Sequence, residues 1–329
     1  MSNSFGHGGD WFSFQDESGQ LPLDFSANIS PLGVPYGVRA AICAAAEHAD
    51  AYPDPECREL RAALSEHEGV PASQILCGAG AADLIWRAVL ALRPRSACVM
   101  EPTFSEYRAA LCAVGAEITP SLGPRTEMAF LCNPNNPAGE LLSAASVRDY
   151  AARCRASGVV LLLDNCFLDF TDHPDPFPLE PGVLVLKAFT KLYGMAGIRL
   201  GYVMSTDEEL LDRMAHMGPP WAVSTPAQAA GIAALKETDY VERVREIIRE
   251  ERPFLERELR SLGFLVVPGS ANFLLFRSET PLEQPLRERG ILIRNCGNFE
   301  GLDDKWYRTA VRTHEDNCRL IETLKEVIR

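Results

Sequence analysis

The stretch 183-VLVLKAFTKLYGMAGIRLGYVMS-205 decides how the rest of the chain is read. A β-branched apolar run enters a short polar turn holding Lys191, and eight residues later Arg199 opens a second apolar run. Two buried strands with a lysine and an arginine at their ends need a reason for those charges, because burying an unpaired cation is costly.

Working outward, further short apolar runs lie at 74–77, 97–100, 116–119, 128–132 and 159–163, with 183–187 and 200–204 completing seven. Helical patterns at 80–92, 104–114 and 143–157 separate several of them. Strands apolar on both faces and alternating with helices predict an α/β fold with a mostly parallel seven-stranded sheet. Two helices precede it, at 37–51 and at 57–69, the second closed by Gly69. After residue 205 the pattern changes to a long helical stretch with a break expected near Pro253, then β-like runs in 264–277, 291–297 and 307–313, and an amphipathic helix from Glu315 to Arg329. This reads as a smaller α+β domain with antiparallel character. The expected division is an arm at 1–35 joining the small domain, a large domain at 36–236 and a small domain at 237–329. The arm, rich in Gly, Pro, Ser and Asn, reads as extended with little regular structure.

The 329 residues are 47% hydrophobic and 23% charged, an ordinary globular composition. A net charge of −13 argues against nucleic acid or an anionic membrane as a partner. No apolar run reaches the roughly 20 residues of a membrane span. The opening residues lack the basic and apolar regions of a secretory signal. The ten cysteines contain no C-x-x-C pair, so free thiols in a reducing cytoplasm are expected and a metal site is not.

Ligands of open α/β sheets sit beyond the carboxyl ends of the strands, so the residues that follow each run carry the chemistry. After 74–77 comes Gly78-Ala79-Gly80-Ala81-Ala82-Asp83, either a tight turn or a helix start open to phosphate. After 97–100 come Phe104 and Tyr107, which are core residues or a flat face for a ring. After 128–132 comes 133-NPNNPAG-139, a rigid turn rich in hydrogen-bonding side chains. Asp164 ends the next run, as a cap, a structural ion pair or a partner for a ligand. Lys191 either snorkels or, desolvated near Arg199, becomes a nucleophile toward carbonyls. Together these groups match the needs of pyridoxal 5'-phosphate: an imine-forming lysine, a carboxylate for the ring nitrogen, a phosphate cup, a stacked aromatic and a donor to the ring oxygen.

With these motifs the chain resembles the fold-type I (aspartate aminotransferase-like) pyridoxal-phosphate enzymes, and more narrowly the group of threonine-phosphate decarboxylases and histidinol-phosphate aminotransferases. The stretches "AYPDP", "NPNNPAG", "LLLDNCFLDF" and "FTKLYGMAGIRLGY" carry the wider resemblance; "HGGD" at 7–10, "DFSANISPLG" at 24–33 and "RNCGNFEGL" at 294–302 carry the decarboxylase branch. The resemblance implies that Lys191 holds the cofactor aldehyde, that Asp164 keeps the pyridine nitrogen protonated and that Asn136 donates to the ring oxygen. It implies a stacking Phe104, and a phosphate cup of Gly80, Ala81 and Ala82 with Thr190 and Arg199. Tyr52 would reach the cofactor phosphate of a partner subunit, in a homodimer with shared active sites. Arg308 would grip a substrate carboxylate, and Ser30 would lie beside the substrate. Arg294, Arg312 and His7 are candidates for the substrate's phosphate, although two such arginines serve equally well as surface charges. The implied substrate is a phosphorylated amino acid or amino alcohol. The implied reaction is decarboxylation of L-threonine O-3-phosphate, a step in cobalamin biosynthesis, with a histidinol-phosphate-type aminotransferase as the alternative. Phe167 replaces a tyrosine common in the family, Ala188 replaces a hydroxyl residue and Ser30 an asparagine.

Overall fold

The computed structural model describes residues 6–172 and 176–328, so residues 1–5 of the arm and Arg329 of the last helix lie outside the described residues. The described arm is not simply extended. It forms helix α1 (Trp11–Ser18), capped by the Asp10 carboxylate at the Ser13 amide and closed by Gly19 at φ 70°. Phe14 buries there, and that burial outweighs a composition that reads as loop. Strand β1 (Leu23–Asp24) follows and pairs in parallel with Ile291–Leu292, near the other end of the chain.

Next come helices α2 (Tyr36–Ala45) and α3 (Arg58–Glu68). The main sheet is then built from β2 (Ile75–Gly78), β3 (Ser96–Val99), β4 (Glu117–Thr119), β5 (Met128–Cys132), β6 (Val160–Asp164), β7 (Val183–Ala188) and β8 (Gly201–Met204). Between these strands lie α4 (Ala81–Leu92), α5 (Ser105–Ala113), α6 (Ala144–Ala156) and the single turn α7 (Phe189–Leu192). The sheet order is β2-β8-β7-β6-β5-β3-β4, and β8 alone runs against its neighbours. Both faces are covered. Along β6, Leu161 and Leu163 enter one core and Leu162 enters the other, the two-residue alternation of a strand packed on both sides. Seven expected strands thus appear, and their carboxyl ends gather Asp164, Ala188 and the turn bearing Lys191.

Past β8 lie α8 (Glu208–Ala215), α9 (Thr225–Ala234) and α10 (Thr238–Ser261). The interruption falls at 235–237, not at Pro253, which sits inside α10. One missing amide is tolerated because Tyr240, Val244, Ile248, Leu255 and Leu259 bury a continuous stripe of that helix. The chain ends with β9 (Leu265–Val266), β10 (Phe273–Arg277), α11 (Glu283–Arg287), β11 (Ile291–Leu292), β12 (Arg294–Asn295), β13 (Trp306–Ala310) and α12 (His314–Val327). Strands β12-β13-β10-β9 form an antiparallel sheet, and its register sets Arg294 directly opposite Arg308.

Candidate active site

A cavity of about 410 Å³ opens at the carboxyl ends of the main-sheet strands. Its floor is the end of β6. The Asp164 carboxylate is buried there, accepting from the Tyr107 hydroxyl at 2.6 Å and the Cys166 amide at 3.0 Å. Tyr107 comes from α5, one turn after Phe104, which itself lines the cavity. The two rings meet edge to face, with centroids 5.7 Å apart. Tyr107 is therefore a core residue with its polar tip turned to the site, and sequence reading alone does not give that bond.

The cup lies at the start of α4. Gly80 has φ +90°, and a Cβ there would stand 2.8 Å from the Arg199 guanidinium. Gly201 is needed too, since its Cβ would meet the Ala81 amide nitrogen at 2.9 Å. Behind the cup, Asp83 accepts from the Ala79 amide at 2.9 Å and pairs with the buried Arg87, also at 2.9 Å. That pair explains the Asp in this glycine turn: it is a brace. Ala81, Ala82, Thr190 and Arg199 line the cavity beside it.

The 133–139 turn is braced by its own asparagines. Asn133 accepts from the Leu142 amide at 2.8 Å, and Asn135 from the Ala138 amide at 3.1 Å. Asn136 faces the cavity, where its carboxamide oxygen accepts from Arg308. That bond leaves the amide N–H groups as the donors Asn136 has to offer a ligand.

Lys191 lines the cavity with no carboxylate partner among the described residues. Burial, then the charges of Arg308 and Arg199, pull its pKa from 10.5 down to about 8. Arg308, on β13, is buried and has no acid in an ion pair with it among the described residues. It donates to Asn136 and to the Ser26 carbonyl at 3.0 Å, lies over the Phe273 ring, and keeps its Nε without a partner. Burial lowers its pKa to about 10. Arg294 faces the same space, holding the Gly6 carbonyl and the Asn298 side chain. His7 Nε2 donates to the Glu106 carboxylate, 2.9 Å away. The cavity thus collects Lys191, Arg199, Arg294 and Arg308 with no acid among the described residues in an ion pair with any of them, in a chain of net charge −13. Such a surface is complementary to an anionic ligand.

Three expected residues fall elsewhere. Arg312 is tied to Asp316 at 2.9 Å and to the Asp24 carbonyl and lies over Phe25, so it is a structural brace outside the cavity. The Ser30 hydroxyl is used by Tyr240 at 2.6 Å, and its amide donates to the Lys191 carbonyl at 2.9 Å; it supports the lysine from behind. Tyr52 is exposed and stacked on Trp221, with centroids 4.4 Å apart. In the isolated chain it does not line the cavity. Sequence reading missed Asn28, buried in the cavity wall with its Oδ1 unsatisfied, and Phe299. A buried polar atom without a partner signals a place for a ligand, but it becomes visible only after folding.

The donor set fits pyridoxal phosphate: an amine with a depressed pKa, a fixed carboxylate, an amide donor, an aromatic wall and a cup with a guanidinium at its lip. The residues 119–324 match the family described as aminotransferase class I and II. The chain is 37% identical to threonine-phosphate decarboxylase of Salmonella typhimurium, covering 93% of this chain and 91% of that protein. It is 36% identical to histidinol-phosphate aminotransferase of Symbiobacterium thermophilum, covering 93% and 90%. The crystal structure of the histidinol-phosphate aminotransferase from Clostridium acetobutylicum superposes with a TM-score of 0.85 at 27% identity, covering 93% of this chain and 99% of that one.

The chain belongs to the class I and II aminotransferase family, with the aspartate aminotransferase-like fold. Within it, the chain is a pyridoxal-phosphate-dependent enzyme of the group that holds both threonine-phosphate decarboxylases and histidinol-phosphate aminotransferases. No helix of the described residues is long and apolar enough to cross a membrane, and none of their His, Cys, Asp and Glu side chains cluster as a metal site.

Proposed function

We propose that this enzyme decarboxylates L-threonine O-3-phosphate to (R)-1-aminopropan-2-yl phosphate, a step of cobalamin biosynthesis. One observation carries the reading: Arg308 and Arg294, opposite each other on neighbouring strands, face one cavity with no acid among the described residues to pair either. Two separate cations suit a substrate with both a carboxylate and a phosphate. Histidinol phosphate has only the phosphate, although 2-oxoglutarate would bring a carboxylate to the same cation in an aminotransferase. The motifs at 7–10 and 294–302 and the decarboxylase relative favour the decarboxylase.

In this reading Arg308 binds the carboxylate, and Arg294 with His7 takes the phosphate. Asn28, with its unsatisfied oxygen, is available to the substrate ammonium. The bound cofactor supplies an electron sink for the bond broken at Cα. Asp164, held in place by the Tyr107 hydroxyl, would be the carboxylate facing the ring nitrogen. Lys191, its pKa lowered to about 8 by burial, would hold the cofactor's aldehyde and stands where it could move a proton at the substrate's Cα. The hold of Arg308 on the carboxylate would decide between losing carbon dioxide and losing the Cα proton. Tyr52, exposed on this chain, supports a homodimer in which it completes the partner's phosphate cup.

The rival is an aminotransferase acting on histidinol phosphate, favoured by the 36% identical relative. Incubation with phosphothreonine, phosphoserine and histidinol phosphate separates the two. Carbon dioxide release from phosphothreonine without any 2-oxo acid supports the proposal. Conversion to the pyridoxamine form, with turnover dependent on 2-oxoglutarate, overturns it.

A further inference from the structure

The residues on either side of Phe104 contain a carboxylate that the reaction does not use. Glu106, on α5, lines the cavity. One of its oxygens meets His7 Nε2 at 2.9 Å, and the other accepts from the Trp86 indole N–H at 2.9 Å. Trp86 belongs to α4, the helix that opens at the cup. A three-member chain therefore runs from the helix behind the cofactor site, through the helix after the stacking ring, to the amino-terminal arm. The His7 bond, with the Trp86 bond adding to it against the cost of burial, holds the Glu106 carboxyl below its ordinary value, so it is charged at neutral pH.

The arm is fastened on its other side to the smaller sheet. Arg294 and Asn298 both donate to the Gly6 carbonyl. Gly9 donates to the Ser26 hydroxyl at 2.8 Å, and Gly8 leaves no room for a side chain, since a Cβ there would stand 2.2 Å from the Ser26 carbonyl oxygen. Arg287 and Glu17 pair at 2.8 Å further along. The arm is thus a strap that lends His7 and Gly8 to the cavity wall. On the main-sheet side, Glu106 is a side-chain anchor for it.

We propose that Glu106 is a positioning residue: clamped by Trp86, it fixes His7 and the strap beside Arg294, and so sets the preference for a phosphate monoester over the unphosphorylated amino acid. A carboxylate set against a phosphate site is otherwise unfavourable, since like charges repel. Its place is explained if it acts through the imidazole. Two bonds on its two oxygens stop the carboxylate from rotating away, as one bond would not. This inference rests on the proposed assignment of the phosphate end, and its test has an arm independent of that assignment.

Glu106→Ala is compared with wild type, His7→Ala, the double variant and Trp86→Phe, all as cofactor-loaded protein. In hydrogen exchange, residues 6–18 should lose protection in Glu106→Ala and, to a smaller extent, in Trp86→Phe. In kinetics, KM for phosphothreonine should rise about tenfold with kcat within about threefold, the cost of one charged hydrogen bond. Turnover of threonine itself, where measurable, should change little. The double variant should lose no more than His7→Ala, because both changes break one unit. Unchanged arm protection in Glu106→Ala overturns the proposal, as do additive effects in the double variant. If the wild-type enzyme instead acts on a different phosphorylated amine, the decarboxylase reading fails, while exchange protection and the cycle on that substrate still decide the role of Glu106.

Discussion

Lys187 and Lys191 lie four residues apart at the end of one strand, and their surroundings differ completely. Lys187 points behind the sheet, where its ammonium sits 3.0 Å from Glu68 and 3.3 Å from Asp169. Burial works against its charge, but the two acids outweigh burial and raise its pKa. Glu68 responds in kind: burial opposes its charge, and Lys187 with the Tyr202 hydroxyl overcomes that, so its pKa falls. Lys191 faces the cavity, has arginines for neighbours and titrates near 8. The same side chain is a structural cation in one place and a nucleophile in the other. Its partners decide which, and sequence spacing only puts it in reach of them.

The comparison breaks if the two lysines fail in the same way. Lys191→Ala should lower turnover at least about a thousandfold and abolish borohydride-fixable cofactor, with the apoprotein still cooperatively folded. Lys187→Ala should do the reverse. It leaves Glu68 half-buried without its lysine and with the Tyr202 hydroxyl still bonded, so unfolding in denaturant should show a loss of about 3 kcal/mol, while the fraction that folds still binds cofactor and turns over. A Lys187→Ala protein as stable as wild type would show that the pair behind the sheet contributes nothing.

The cavity side can be sharpened further. Arg308→Ala should reduce kcat/KM by about 10–100-fold, the cost of a hydrogen bond to a charged group. It should also loosen Asn136, so the cofactor's absorbance maximum should move; an unmoved spectrum would show that Asn136 does not depend on this arginine. The smallest effect is in the pH dependence. The folded apoprotein holds Lys191 at about 8 against 10.5 when unfolded, so between those values the unfolded chain binds more protons and stability rises with pH. A Lys191→Met apoprotein lacks that term. It should gain stability relative to wild type below pH 8, and the gain should shrink as pH rises to 10.5. A constant difference across that range would mean that Lys191 is not desolvated.

Much of the cofactor end was legible beforehand because its parts are local. A strand end, a glycine turn and a proline-asparagine turn each carry their geometry in a few consecutive residues. Asp164, Phe104, Lys191 and Arg199 stand out by their position after strand ends, and Asn136 through the family resemblance; all five line one cavity. The substrate end resisted. Arg294, Arg308 and Arg312 look alike in sequence, yet the fold turns two into the cavity and ties the third to Asp316. Ser30 is consumed by a tyrosine 210 residues away. Helix α1 was missed because its burial depends on residues near the other end of the chain, and Asn28 because an unsatisfied atom is a property of its surroundings.

The amino-acid sequence by itself determined the alternation of strands and helices, the residues standing at the strand ends and the cofactor chemistry they allow, since periodicity and turn chemistry act over short distances. Only the tertiary structure decided which cations stay unpaired, which lysine loses its proton near pH 8 and where the amino-terminal strap is fastened. Charge pairing and desolvation are set by groups brought together from far along the chain, and no local pattern records who those neighbours are.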